Sequence, residues 1–314
     1  MAAVGGIATF PTLSIDSVGT GYELRATSGS LTAATSTSFA ITVGTATRVA
    51  FGQQPTNTTA GAAVTPAVTV KILDAVGNLV PVNNPVALAI ESGTGTAGAT
   101  LTGGGAVAAV GGIATFAGLR VDSAGTGYQL RATSSGLTAA TSTSFAINTG
   151  AANRLAFGQQ PTTTTAGQTI TPGVTVKILD SQGNLVSATD NVTLAIQSST
   201  GTAGATLTGG GAVAAVGGIA TFAGLAIDSA GSGYQLRATS GSLTAATSTS
   251  FAITAGAANK LVFGQQPTTT TAGQTITPAV TVKILDAVGN LVTSSANVSL
   301  AIEGGTGTAG ATLT

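Results

Sequence analysis

The side chains able to do chemistry are few. Cys, His and Trp are absent, and the ionisable side chains come to ten acids, ten Lys or Arg and three Tyr. Thiolate and imidazole chemistry therefore falls away, and with it zinc sites, Ser–His–Asp triads and Cys–His pairs. What remains is carboxylate work. Asp74, Asp180 and Asp286 each head D-x-x-G-N, and Asp16, Asp122 and Asp228 each head D-S-x-G-x-G-Y. A carboxylate pair for acid–base catalysis would draw on these six. Each sits in a Gly-containing segment, where an Asp accepts bonds from nearby backbone N–H groups and closes a turn. Turn closure is the role assigned to Asp74, Asp180 and Asp286. Other acids change between corresponding positions: Glu91 and Glu303 answer to Gln197, and Asp190 to Asn84 and Ala296. A catalytic acid should not drop out in this way, so no catalytic residue is assigned.

Three further chemistries use the same residues. Calcium asks for about six to eight oxygens, several of them carboxylates, and one Asp per turn is too few. No metal or cofactor is expected. The linkers VGTAT after Thr42 and TGAAN after Asn148 carry no acid, so stiffness between units would come from their shortness, about four to six residues. Lys–Asn cross-links would use Lys71, Lys177 or Lys283 with Asn78, Asn184 or Asn290. The alternation in TVKILD turns Lys away from the interior that such a bond needs. Asn57, Asn191 and Asn297 fit the N-x-S/T pattern and the Thr-rich loops after Pro161 and Pro267 carry hydroxyls, with solvated loop groups as the plainer reading.

The elements that hold these residues repeat. VGGIATF starts at Val4, Val110 and Val216, FGQQPT at Phe51, Phe157 and Phe263, and TVKILD at Thr69, Thr175 and Thr281, a step of 106 residues each time. That step is too long for a solenoid repeat of about 20–50 residues and fits one domain. No long stripe of period 3.6 occurs. Apolar residues alternate instead: Val174, Val176 and Ile178; Val192, Leu194 and Ile196; Tyr234, Leu236 and Ala238; Phe251 and Ile253. Gly-rich turns separate them. The pattern predicts roughly seven to nine short strands per copy in an all-β sandwich.

D-S-x-G-x-G-Y-x-L-R-A recurs at Asp16–Ala26, Asp122–Ala132 and Asp228–Ala238. It resembles the tyrosine corner of immunoglobulin-like sandwiches, with Tyr22, Tyr128 and Tyr234 as the corner residues. The whole unit, F-x-Q-Q-P through T-V-K-I-L-D and G-I-A-T-F to F-A-I, looks like the bacterial immunoglobulin-like (Big-type) repeats of surface proteins and adhesins. The resemblance implies tandem immunoglobulin-like β-sandwich repeats at the cell surface or outside it, mostly serving as spacers and stalks.

In that fold order, residues 1–46 are the C-terminal half of a domain, 47–150 and 151–256 are complete domains, and 257–314 are the N-terminal half of another. Thr314 aligns with Thr208, just before a GGG turn, and Ala2 aligns with Ala214, just after it. Two readings fit: an excerpt of a longer array, or halves that pair head to tail between molecules, a contact that makes filaments.

Only 6% of residues are charged and the net charge is zero, against about 25% charged in an ordinary domain. A neutral, sparsely charged surface tends to associate. It lacks the basic patch that nucleic acid needs. No run of about 18 apolar residues predicts a membrane-inserted helix, and no basic stretch followed by an apolar core predicts a leader. The reading is a non-enzymatic structural repeat of an extracellular filament, sheath or stalk whose partner is itself, by head-to-tail assembly or within a longer parent chain. The alternative is an adhesin or carbohydrate-binding module with a surface glycan as ligand, against which stands the low aromatic content.

Overall fold

A computed structural model describes residues 1–314, all in strands, turns and loops with no helix. No helix is therefore long and apolar enough to cross a membrane. The chain divides into two units, Met1–Gly150 with Gln182–Asn184, and Ala151–Ser181 with Leu185–Thr314.

In the first unit the central strand Val68–Leu73 pairs antiparallel with Ile113–Phe116 on one side and Arg48–Gln53 on the other. Pleating sends alternate side chains to opposite faces. Val68, Val70 and Ile72 are accordingly sealed from solvent, while Lys71 between them is exposed. The facing layer orders Val107–Ala108, Pro85–Ile90, Leu130–Thr133 and Ala140–Thr141. Beside it Gly125–Tyr128 pairs with Phe145–Asn148, which takes Thr58–Thr59 as a parallel neighbour. The core lies between the layers. It joins Val70, Ile72, Leu88, Phe116, Leu130, Phe145 and Ile147, with Phe51 and Ile90 packed at its margin.

Two glycines are required by contacts. At Gly52 the register with Val68–Leu73 slips by one, and Gln53 N–H donates to Thr69 Oγ1 at 2.8 Å; a Cβ on Gly52 would stand 2.8 Å from that hydroxyl. Gly95 has φ +66° and lies against the Tyr128 ring, where a Cβ would come within 2.2 Å of Cδ1. A buried serine closes the strand that follows Tyr128: Ser142 Oγ accepts from Leu130 N–H and donates to Thr143 O, both at 2.8 Å.

The second unit repeats the plan. Val174–Leu179 lies between Arg154–Phe157 and Ile219–Phe222, and Val213–Ala214, Asn191–Ile196, Leu236–Thr239 and Ala246–Thr247 form the facing layer. Its core runs from Leu155 to Ile253 with Tyr234 inside. Two packed antiparallel layers with a parallel third partner on the last strand make an immunoglobulin-like β-sandwich, present twice in tandem.

The end segments carry the same residues in a different setting. Phe10 is 54% exposed, whereas its equivalents Phe116 and Phe222 are each at 1%. Leu13 and Leu24 are exposed, and Leu119 and Leu130 are sealed. At the other end Leu261, Val298 and Leu300 are exposed where Leu155, Val192 and Leu194 are buried. Each end folds into hairpins only: Gly19–Tyr22 with Phe39–Ile41 and Arg25–Ala26 with Ala34–Thr35 in the first unit, and Lys260–Gln265 with Thr281–Leu285 in the second.

Candidate functional site

The two residue sets singled out by sequence, the tyrosines and the turn aspartates, meet in space. Tyr128 and Tyr234 are sealed from solvent and Tyr22 is half-buried. Each hydroxyl donates to a carbonyl five residues back: Tyr22 to Ser17 O at 2.9 Å, Tyr128 to Ser123 O and Tyr234 to Ser229 O at 2.7 Å. The rings pack on Phe39, Phe145 and Phe251 at centroid separations of 6.1, 5.9 and 5.9 Å. The tether fixes the loop that precedes each tyrosine.

The D-x-x-G-N turn receives that loop. Asp74 is buried, and its Oδ1 accepts from the N–H groups of Val76, Gly77 and Asn78 at 3.1, 2.8 and 2.8 Å. Its Oδ2 accepts from Gly44 N–H in the linker at 3.2 Å and from Asn78 Nδ2 at 3.0 Å. Asn78 then reaches the preceding copy: Nδ2 donates to Asp16 O at 2.8 Å, and Oδ1 accepts from Val18 N–H at 3.3 Å. In the second unit Asp286 repeats the pattern, with Val288, Gly289 and Asn290 N–H on Oδ1 and Gly256 N–H and Asn290 Nδ2 on Oδ2. Asn290 Nδ2 donates to Asp228 O at 2.9 Å and its Oδ1 accepts from Ala230 N–H at 2.8 Å. Asp180 is fully buried in the corresponding turn. Within the first unit, Asn184 Nδ2 donates to Asp122 O at 3.0 Å and Ala124 N–H to Asn184 Oδ1 at 2.8 Å.

A carboxylate offers about four lone-pair positions, and five N–H donors already crowd Asp74 and Asp286. Burial alone would raise the pKa of each. Hydrogen bonds from the Asn78 side chain and backbone and from Gly44 and Gly77 outweigh it at Asp74, and those from Gly256, Asn290 and Gly289 at Asp286, so both sit at about 2. Such a group is a fixed anion that organises amides. It has no room left for a cation and no proton to exchange near neutral pH. Asp122 and Asp228 are also lowered, first by the hydroxyls of Thr100 and Thr206 and then by the same residues' N–H groups. No three acidic, His or Cys side chains gather anywhere. Lys71, Lys177 and Lys283 lie exposed, outside the interior in which a Lys–Asn cross-link would have to form.

Sequence reasoning missed two things here. One is the reach of Asn78 and Asn290 into the preceding copy. The other is the QQP motif: Gln54 Oε1 accepts from Thr143 N–H and Gln160 Oε1 from Thr249 N–H, both at 3.0 Å, closing the first strand onto the last. Both signals were present as invariant residues among the internal copies, since Asn78, Asn184 and Asn290 recur with the loops that they meet.

Fold and site together define the class: an all-β chain of tandem immunoglobulin-like β-sandwich repeats, joined through a hydrogen-bonded turn. No family model and no curated protein matches it. Among solved structures, the adhesin InvE of Yersinia pseudotuberculosis is similar at 17% identity and TM-score 0.25, over 65% of this chain and 58% of its own. Surface layer protein SbsC, domains 4–9, is similar at 15% and 0.25, over 78% and 37%. A beta-glycosidase from Bacteroides vulgatus is similar at 14% and 0.25, over 66% and 24%. The chain thus spans between 24% and 58% of the length of these three. An adhesin and a surface-layer protein are thus among its structural neighbours.

Proposed function

We propose that the chain is a non-enzymatic, Big-type structural repeat of an extracellular filament, sheath or stalk. Residues 47–150 and 151–256 are its complete domains. Residues 1–46 and 257–314 are halves completed by matching segments of neighbouring copies, whether in another molecule or along a longer parent chain. One observation carries this reading: Phe10, Leu13 and Leu24, and at the other end Leu261, Val298 and Leu300, are exposed, while every equivalent in the sandwiches is buried. The two sets are complementary, because in each sandwich the equivalents of both belong to one core. An apolar face with open strand edges is a pairing template. The sparse charge offers little repulsion against end-to-end contact.

The carbohydrate-binding alternative gains no support from the site. Tyr128 and Tyr234 spend their rings in the core, so neither offers a stacking face to a sugar. Sedimentation of the 314-residue chain over a range of concentrations, with electron micrographs of the same samples, tests the proposal. Concentration-dependent growth into fibres is expected. A species that stays at 29.8 kDa at the highest concentration refutes it.

A further inference from the structure

We propose that Asn78, and Asn290 in the second unit, are the residues that lock each repeat onto the one before it, so that the joint holds a single geometry without a metal ion. The surface involved is the D-x-x-G-N turn together with the linker amide. Its partner is the corner loop of the preceding copy, Asp16–Val18 for Asn78 and Asp228–Ala230 for Asn290. This concerns the joints, and it stands whether or not the end segments pair between molecules.

The argument rests on how the joint is built. A side-chain amide has one acceptor and one two-proton donor, and it can read a backbone N–H and a backbone C=O at once, as a neighbouring strand would. Asn78 does so on Val18 N–H and Asp16 O. The amide cannot swivel, because its second Nδ2 proton is held by Asp74 Oδ2 and its own N–H by Asp74 Oδ1. The same Oδ2 accepts from Gly44 N–H, so one buried carboxylate holds the linker and the amide together. On the far side the loop is equally fixed, since Tyr22 hydroxyl holds Ser17 O between the two contacted residues. The second unit reproduces each of these bonds through Asp286, Asn290, Gly256, Tyr234 and Ser229. The chain therefore runs from tyrosine to loop to asparagine to aspartate to linker with a hydrogen bond at every step. A flexible joint needs none of this. A calcium-stiffened joint would leave the carboxylate oxygens of the turn free for the ion, and here those of Asp74 and Asp286 are taken by N–H donors.

Asn is the side chain that fits. Asp at position 78 would remove both Nδ2 donors and set a second carboxylate beside Asp74. Ala would remove the contact to the preceding copy and leave the three backbone donors on Asp74 Oδ1 in place.

The test uses the full chain with nitroxide labels on Ser30→Cys and Ser135→Cys, two exposed loop positions on either side of the Asn78 joint. Pulsed electron spin resonance should give one narrow distance distribution, unchanged by excess EDTA or by calcium chloride. Asn78→Ala and Asn78→Asp should each broaden it at least twofold. Hydrogen exchange gives a second reading: in Asn78→Ala the Val18 amide, which donates to Asn78 Oδ1, should lose protection at least tenfold, while amides of Val68–Leu73 keep theirs. A distribution as narrow in the variants as in the parent overturns the proposal. So does a parent distribution that broadens with EDTA, or Val18 exchange that ignores the substitution.

Discussion

Phe116 and Phe10 are the same residue of the same motif in two environments, and truncating each should separate core packing from end pairing. Phe116 is 1% exposed, aligned opposite Val68 and enclosed by the first unit's core. Phe116→Ala removes a buried ring and leaves a cavity that the two sheets close only in part, at a cost of about 3–5 kcal/mol. For a sandwich of this size, about 4–8 °C of melting temperature goes with each kcal/mol, so the first sandwich should melt at least roughly 12 °C lower. The core from Leu155 to Ile253 shares no residue with it and should keep its own transition. Scanning calorimetry of the variant should then show two resolved transitions where the parent shows them close together. Phe10→Ala, at 54% exposed, forfeits only part of a transfer term of about 1.5–3 kcal/mol and should leave both transitions in place. Its effect should fall on association instead. A shift of only a few degrees in Phe116→Ala, or both transitions moving together, would refute the assignment of Phe116 to one self-contained core.

Two other outcomes follow from the geometry. Tyr128→Phe deletes the bond to Ser123 O but keeps the ring against Phe145, so it should cost about 0.5–1.5 kcal/mol by denaturant titration; no change would mean that the hydroxyl is not anchoring the loop. Asp74 and Asp286 have folded pKa values of about 2, below the ordinary 3.8, so their contribution is complete above about pH 4 and is lost as pH falls toward 2. Stability measured down that range should drop. Asp74→Asn with Asp286→Asn should flatten the drop, leaving the part due to Asp122 and Asp228, which are lowered in the same direction.

The strands and their faces were legible because the pattern is local. Val68, Val70 and Ile72 alternate with Thr69 and Lys71, and a period of two fixes both the element and the buried side. The number of strands was less so. Seven to nine were expected per copy, whereas twelve strand segments lie between Arg48 and Asn148. The difference arises from short pieces: Thr58–Thr59, Leu101–Thr102, Val107–Ala108, Arg120–Val121 and Ala140–Thr141 are strands of two residues each, and Gln129 separates Gly125–Tyr128 from Leu130–Thr133. A two-residue strand is too short to leave a periodic trace. At the joint, the Asp of D-x-x-G-N could be read as closing its turn, because its donors lie two to four residues on. The partner of Asn78 lies 62 residues back in another copy, and no local rule points that far.

The most direct measurement concerns the end segments. In the sandwiches Thr115 lies opposite Thr69, and Thr221 opposite Thr175. The corresponding residues at the ends are Thr9 and Thr281. A chain carrying Thr9→Cys and Thr281→Cys, gently oxidised, should give a ladder of disulfide-linked oligomers, since directly opposed residues on antiparallel strands come within cross-linking range. Thr9→Cys with Val282→Cys, one position out of register and on the other face, should not. A ladder confined to the first pair is the result that end completion requires. Monomer alone, or a disulfide closed within one chain, would contradict it.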